Sequence, residues 1–158
     1  MYYEKLWKKV LSEDERIEYE FSISPRLIYV NLVFWFVVGI ATVWIYGVGV
    51  AVFFVALVYY GWFLRVANAY AFTNKRVLIY RGWLSTNLTS VDFSRITDIE
   101  VNQGFSERIM YNVGTIYINT AGAAAHEVVL TRVQDPYGLK QKLADLMEKH
   151  ERESPHTM

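Results

Sequence analysis

YAFTNKRVLIYRGWL, residues Tyr70–Leu84, sets two apolar runs around the polar step Thr73-Asn74-Lys75-Arg76 and closes on Gly82-Trp83. Runs of aromatic and β-branched residues on either side of a short polar turn make a β-hairpin. The segment just before it gives that hairpin its context. Leu27–Leu64 contains no charged residue, although the chain of 158 residues carries 16 basic and 16 acidic side chains. The formal net charge of zero therefore hides a chain split into an apolar window and a remainder charged like a soluble domain.

At ~1.5 Å per residue the roughly 38 residues of that window would form a rod of about 57 Å, nearly twice a ~30 Å hydrocarbon core. One crossing does not fit, and the corner Tyr46-Gly47-Val48-Gly49 divides the window into two spans of about 18 residues each. A buried helix pair in a soluble protein would need more surrounding chain, because both helices are apolar on every side. The window is thus predicted to be a transmembrane hairpin, with helices over 27–46 and 48–65. Tyr29, Tyr59, Tyr60 and Trp62 suit one interface, and Trp44 and Tyr46 the other. Arg16 and Arg26 precede the spans, Arg65, Lys75, Arg76 and Arg81 follow them, and the corner has no basic residue. That asymmetry predicts a multi-pass plasma-membrane protein with both termini cytoplasmic. Asn31, about one turn from the cytoplasmic end, is expected to bond a backbone carbonyl, the partner helix or the interface. No ionisable group lies at mid-depth to relay ions or protons.

Beyond the window the pattern changes to short strands, predicted near 66–73, 76–81, 84–91, 96–102, 114–121 and 127–133. Ile17, Tyr19, Phe21 and Ile23 alternate with polar residues, which predicts a further strand ahead of the spans that joins the same sheet. Before it, residues 2–11 read as a short amphipathic helix with Leu6, Trp7, Val10 and Leu11 on one side. Asp135-Pro136 is a helix start, and Leu139, Leu143, Leu146 and Met147 form its apolar stripe opposite Lys140, Lys142 and Lys149. The tail from Glu151 is expected to fray. The predicted organisation is an N-terminal helix and strand (1–26), the membrane hairpin (27–65), a β domain (66–150) and a flexible tail (151–158).

Taken in order, YAFTNKRVLIYRGWL, SRITDIEVNQGFSERI, VGTIYINTAG and a helix opened by Asp-Pro resemble the membrane-flanked bacterial pleckstrin-homology family. The resemblance covers Tyr70 to about His150, and the preceding helical hairpin suits the family's layout. It implies a membrane protein whose mostly antiparallel β domain forms a partly open pleckstrin-homology-like barrel or sandwich capped by a C-terminal α-helix. It implies no active site.

The residues agree with a non-enzymatic role. Cysteine is absent, which excludes disulfides, thiolate metal sites and thiol nucleophiles. His126, His150 and His156 are scattered, Asp98 and Glu100 read as a solvated strand face, and no phosphate loop or hydrolase motif occurs. No catalytic residue, metal or cofactor is expected. Nor is nucleic acid, since no basic cluster offsets the balanced charge. Lys75, Arg76, Arg81, Arg95 and Arg108 read as dispersed surface charge rather than one phosphate cradle. Strand direction places Arg81, Trp83, Phe105, Arg108 and Ile109 nearer the bilayer than Lys75, Arg76, Asp92 and the loop 122–125. The first group are the candidates for lipid or membrane-interface contact. The tip at Asn74-Lys75 is expected to be free for a protein partner. The expected partners are therefore the bilayer and a further protein, with the domain serving as an interaction or assembly module or, alternatively, as a headgroup sensor.

Overall fold

The computed structural model describes residues 7–42, 47–82, 87–121 and 128–153. Strand β1 (Ile17–Ser22) precedes the apolar window, which forms helices α1 (Pro25–Thr42) and α2 (Val48–Ala56). The second helix runs on through a π-helical turn (Leu57–Phe63) into a last α-helical turn (Leu64–Ala67). Then come β2 (Asn68–Thr73), β3 (Arg76–Arg81), β4 (Asn87–Asp92), β5 (Ile96–Asn102), β6 (Val113–Thr120), β7 (Val128–Gln134) and helix α3 (Pro136–Glu153). The strands make two antiparallel sheets, β1-β2-β3-β4 and β5-β6-β7. Because β1 pairs along β2, the β domain is assembled from chain on both sides of the hairpin.

Three contacts fix how the sheets cross. At the hairpin end of the first sheet, Ile23 just beyond β1 bridges Val133. Tyr70 of β2 meets the Thr131 hydroxyl at 3.3 Å, and Arg81 of β3 donates to the Val129 carbonyl. Stepping across β1, β2 and β3 therefore steps back along β7 through 133, 131 and 129. With strands ~4.8 Å apart and residues ~3.3 Å apart, β7 runs nearly perpendicular to the first sheet. Period-two alternation then turns Tyr70, Phe72, Ile79 and Val91 inward against Ile116, Ile118 and Leu130, with Leu139 and Leu143 of α3 closing the open end of this core.

Helix α3 starts as its sequence dictates. The Asp135 carboxylate accepts from the Gly138 N–H at 3.3 Å, and a Cβ at Gly138 would push that carboxylate aside. Proline in the first helical position forfeits no helix bond. The helix continues through Glu153, past Glu151 where fraying was expected. Arg152–Glu148 and Lys149–Glu153 pair at i,i+4, and basic residues complement the helix C-terminus, so the last turn is held from both ends.

The centre of the first sheet, β2 and the first half of β3, is buried on both faces. Trp7, with Val10 and Leu11, lies over Ala69, Ala71 and Leu78, and Trp7 is 1% exposed. The two alanines leave a slot that an indole fills. Residues 7–16 therefore form a strap across the outer face of the sheet, while residues 1–6 lie outside the described residues.

In the hairpin, Gly39 and Gly49 let α1 and α2 approach until a Cβ on Gly39 would meet the Gly49 carbonyl at 3.0 Å. Phe36 and Phe53 pack edge to face beside them. Gly47, at φ 74°, takes the left-handed turn that the corner requires. Asn31 Nδ2 donates to the Leu27 carbonyl at 2.8 Å, satisfying its polar head within the helix. By length and composition α1 is apolar and long enough to cross a membrane, whereas the second apolar helix, Val48–Phe63, is shorter than the span expected for it.

Candidate interaction surfaces at the hairpin base

The hairpin joins the β domain through one apolar joint. Ile23, Leu27, Leu64 and Val113 are buried together, flanked by Tyr60, Phe63 and Tyr111. Gly82 N–H donates to the Ala67 carbonyl at 2.9 Å, so the end of β3 is tied directly to the end of the second helix. Gly82 has φ 121°, which excludes a side chain there in comfort. Trp83, a candidate interface residue, lies outside the described residues, as does the loop 122–125.

Phe105, Arg108 and Ile109 are brought onto one turn. Arg108 N–H bonds the Gly104 carbonyl at 2.9 Å, Glu107 accepts from the Gly104 N–H at 3.2 Å, and Asn112 ends the turn in the left-handed region. The π-helical piece, Glu107–Tyr111, hangs on the joint through Tyr111. Phe105 is 82% exposed and Ile109 62%, and Met110, which the sequence reading passed over, is half exposed beside them. Single exposed apolar side chains are ordinary, but three on one turn against the base of an apolar hairpin make a patch.

Arg81 does not join that patch. Its guanidinium reaches the Val129 carbonyl at the start of β7. There it lines an open cleft of about 310 Å³ with Ile79, Asn87, Leu88, Thr89, Val128 and Val129. Strand direction by itself says nothing of which strand of the other sheet meets Arg81. The perpendicular crossing brings it to the start of β7.

The tip of the β2–β3 hairpin is not free either, contrary to the sequence reading. Asn74 exchanges hydrogen bonds with the strap: its N–H donates to the Arg16 carbonyl at 3.2 Å, and its side-chain oxygen accepts from Arg16 N–H at 3.1 Å. Arg76 donates from Nε to Glu15 Oε1 at 2.8 Å and from Nη2 to Oε2 at 2.6 Å. Burial opposes charge on Glu15, but hydrogen bonds from Arg76, Thr73 and Ser12 outweigh it and hold the carboxyl below its usual range. Glu15 in turn holds the Arg76 guanidinium above its ordinary value. The partners are 61 residues apart, with no periodicity to link them, so no pattern in the sequence signals the pair.

The five basic residues accordingly do not converge: Lys75 and Arg76 lie at the tip, Arg81 at the end of β3 against β7, Arg95 in the turn after β4 and Arg108 on the lower turn. Asp98 and Glu100 lie exposed on β5. No group of three or more metal-binding side chains occurs among the described residues. His150 packs edge-on against Phe93 at 5.7 Å, and His126 and His156 lie outside the described residues.

Two solved structures share this architecture. One is a DUF1696 family protein with a pleckstrin-homology domain from Shewanella loihica PV-4, 12% identical, with a TM-score of 0.50 over 90% of this chain and 91% of that one. The other is a pleckstrin homology domain from Shewanella amazonensis SB2B, also 12% identical, with a TM-score of 0.51 over 90% of this chain and 83% of that one. At such identity the likeness speaks for the fold alone. No curated protein matches the chain. The Bacterial PH domain family matches residues 25–147, from the start of α1 into the last turns of α3. With most of its length matched, and with two crossed antiparallel sheets closed by a C-terminal helix, this chain belongs to the bacterial PH domain family.

Proposed function

We propose that the chain is a non-enzymatic integral membrane protein whose hairpin crosses the plasma membrane and holds the PH-like domain at the cytoplasmic surface as an interaction or assembly module. The observation that carries this is the hairpin's outer surface: Phe34 is 59% exposed and Val55 71%, with apolar neighbours around both helices and nothing in the described chain to cover them. In water such a surface is a liability, and in lipid it is the preferred state. Helical geometry from Val48 to Ala67 gives the second helix about 20 residues, or roughly 30 Å at ~1.5 Å per residue, enough to span when its last turn enters the interface. Because native cysteine is absent, single cysteines replacing Val48 and Glu153 report topology cleanly. In oriented vesicles they are expected to label from opposite faces. Labelling of both from one face would remove the hairpin crossing.

A second reading is favoured by one observation, the patch of Phe105, Ile109 and Met110 with Arg108 on the same turn. This turn would seat the domain on the bilayer, its apolar side chains in the interface and its arginine on lipid phosphate, giving the module headgroup sensitivity. A fluorophore on Ile109→Cys in nanodiscs is expected to be quenched by lipid-borne quenchers more strongly than one on Lys75→Cys. Adding Arg108→Glu should lower the Ile109 quenching in anionic discs and leave it unchanged in zwitterionic ones. Equal quenching at both positions would discard the seat, and insensitivity to lipid charge would discard the sensor.

A further inference from the structure

A strand edge with unpaired N–H and C=O groups invites another strand, and proteins usually block such edges. Among the described residues three of the four edges are managed. β1 and β7 meet at Ile23–Val133, reinforced by Ser24 N–H bonding the Arg132 carbonyl at 3.0 Å. The start of β7 is met by Arg81. β5 carries a register shift between Ile96 and Asp98, two exposed carboxylates, and Lys140 of α3 donating to the Ile99 carbonyl at 2.6 Å. Among the described residues β4 carries only one such device, the exposed carboxylate of Asp92 at its far end. It runs in unbroken register with β3 from Asp92 opposite Arg76 to Asn87 opposite Arg81, contains no proline or basic residue, and pairs on one side only among the described residues.

Its side chains define what fits. Val91 is in the core, so alternation turns Thr89 and Asn87 to the same side, into the cleft they share with Ile79, Val128 and Arg81. Arg81 is the only charged residue among the described residues that line the cleft. A strand laid along β4 would drop alternate side chains into this cleft, and an acidic one would meet the guanidinium in a charge-assisted bond. A second copy does not supply that strand. β4 runs from the hairpin base towards the tip, so antiparallel self-pairing would aim the two hairpins in opposite directions, and its one acid, Asp92, lies by alternation on the face opposite Asn87 and Arg81, leaving Arg81 without an acid.

We propose that β4 accepts a strand from a protein partner, an extended and otherwise uncharged segment with one acidic side chain directed at Arg81. The proposal rests on the interaction-module reading, but its test does not involve the bilayer crossing, so either can fail alone. The full chain in detergent micelles is titrated with a blocked octapeptide of alternating Val and Thr carrying one central Glu. Two comparison peptides replace Glu by Lys or N-methylate alternate backbone nitrogens. Hydrogen exchange at Leu88–Val91 is expected to slow about tenfold with the Glu peptide, with β6 exchange serving as the control for folding. The Lys peptide should bind about tenfold more weakly, the N-methylated one should not bind, and Arg81→Gln should erase the preference for Glu over Lys. The proposal is overturned if no peptide protects β4 at about 1 mM, if N-methylation makes no difference, or if Arg81→Gln leaves the preference intact.

Discussion

Replacing Leu143 by Asp is expected to destabilise the β domain of the full chain in micelles severely while the hairpin stays helical. Leu143 is fully buried beneath the crossed sheets, in one cluster with Phe72, Ile116 and Leu130. The substitution removes a large apolar contact, for which Leu→Ala alone costs ~2–5 kcal/mol. It also puts a carboxylate into a cluster of buried apolar side chains, where it is left unpaired or kept protonated. The combined loss should be at least ~4 kcal/mol, against a whole-domain stability of roughly 5–15 kcal/mol. For a domain of this size that corresponds to a fall in Tm on the order of 20 °C. Leu143→Ala should lose about 3 kcal/mol and stay folded, and Lys149→Ala, on the wet side, should change almost nothing. An unaltered Tm in Leu143→Asp would mean that α3 does not close the core. The full chain is needed because β1, on the far side of the hairpin, completes the first sheet, so a fragment beginning at β2 lacks an edge.

The limits of reading this fold from sequence follow from the range of the interactions. Local signals were sufficient for these elements: the apolar run after a polar turn located β3 and alternation β5, Asp135-Pro136 located α3, and paired glycines located the corner. The resemblance in four ordered motifs supplied the crossed-sheet barrel that alternation alone does not specify. What failed was placement that depends on contacts between distant segments. The meeting of Arg81 with the start of β7 is not readable from strand direction, because direction says nothing about the angle between two sheets. Likewise the β2–β3 tip looked free because its cover comes from residues 7–16, whose only visible feature was a short amphipathic pattern. The cluster of Phe105, Arg108 and Ile109 was legible because all three lie on one turn. Met110 beside them was overlooked because methionine carries neither the charge nor the ring that marks an interface residue.

The strap carries the second large effect. Arg76→Ala is expected to cost about 3 kcal/mol, at the low end of the range for breaking a buried ion pair, because the Glu15 side chain is 1% exposed while Arg76 retains 22% exposure to water. The loss comes mainly from leaving Glu15 buried with its charge uncompensated, so Glu15→Gln should cost less, and Glu15→Leu with Arg76→Met should recover most of the wild-type stability. The pH dependence carries a sign that separates this pair from a surface contact. Glu15 titrates below its ordinary value in the folded chain, so its stabilisation is complete above the unfolded carboxylate range of about 4 to 4.5 and is lost as pH falls through the lower folded value. In Arg76→Ala the chief cause of that depression is gone while burial remains, so this acid-side loss should shrink or reverse. Strap release has its own readout: trypsin should cut after Lys8 and Lys9 faster in Arg76→Ala than in wild type, with the fragment beyond the strap still resistant. If Arg76→Ala keeps wild-type stability, acid profile and cleavage rate, then Trp7 in its alanine slot holds the strap unaided and the ion pair contributes nothing to it.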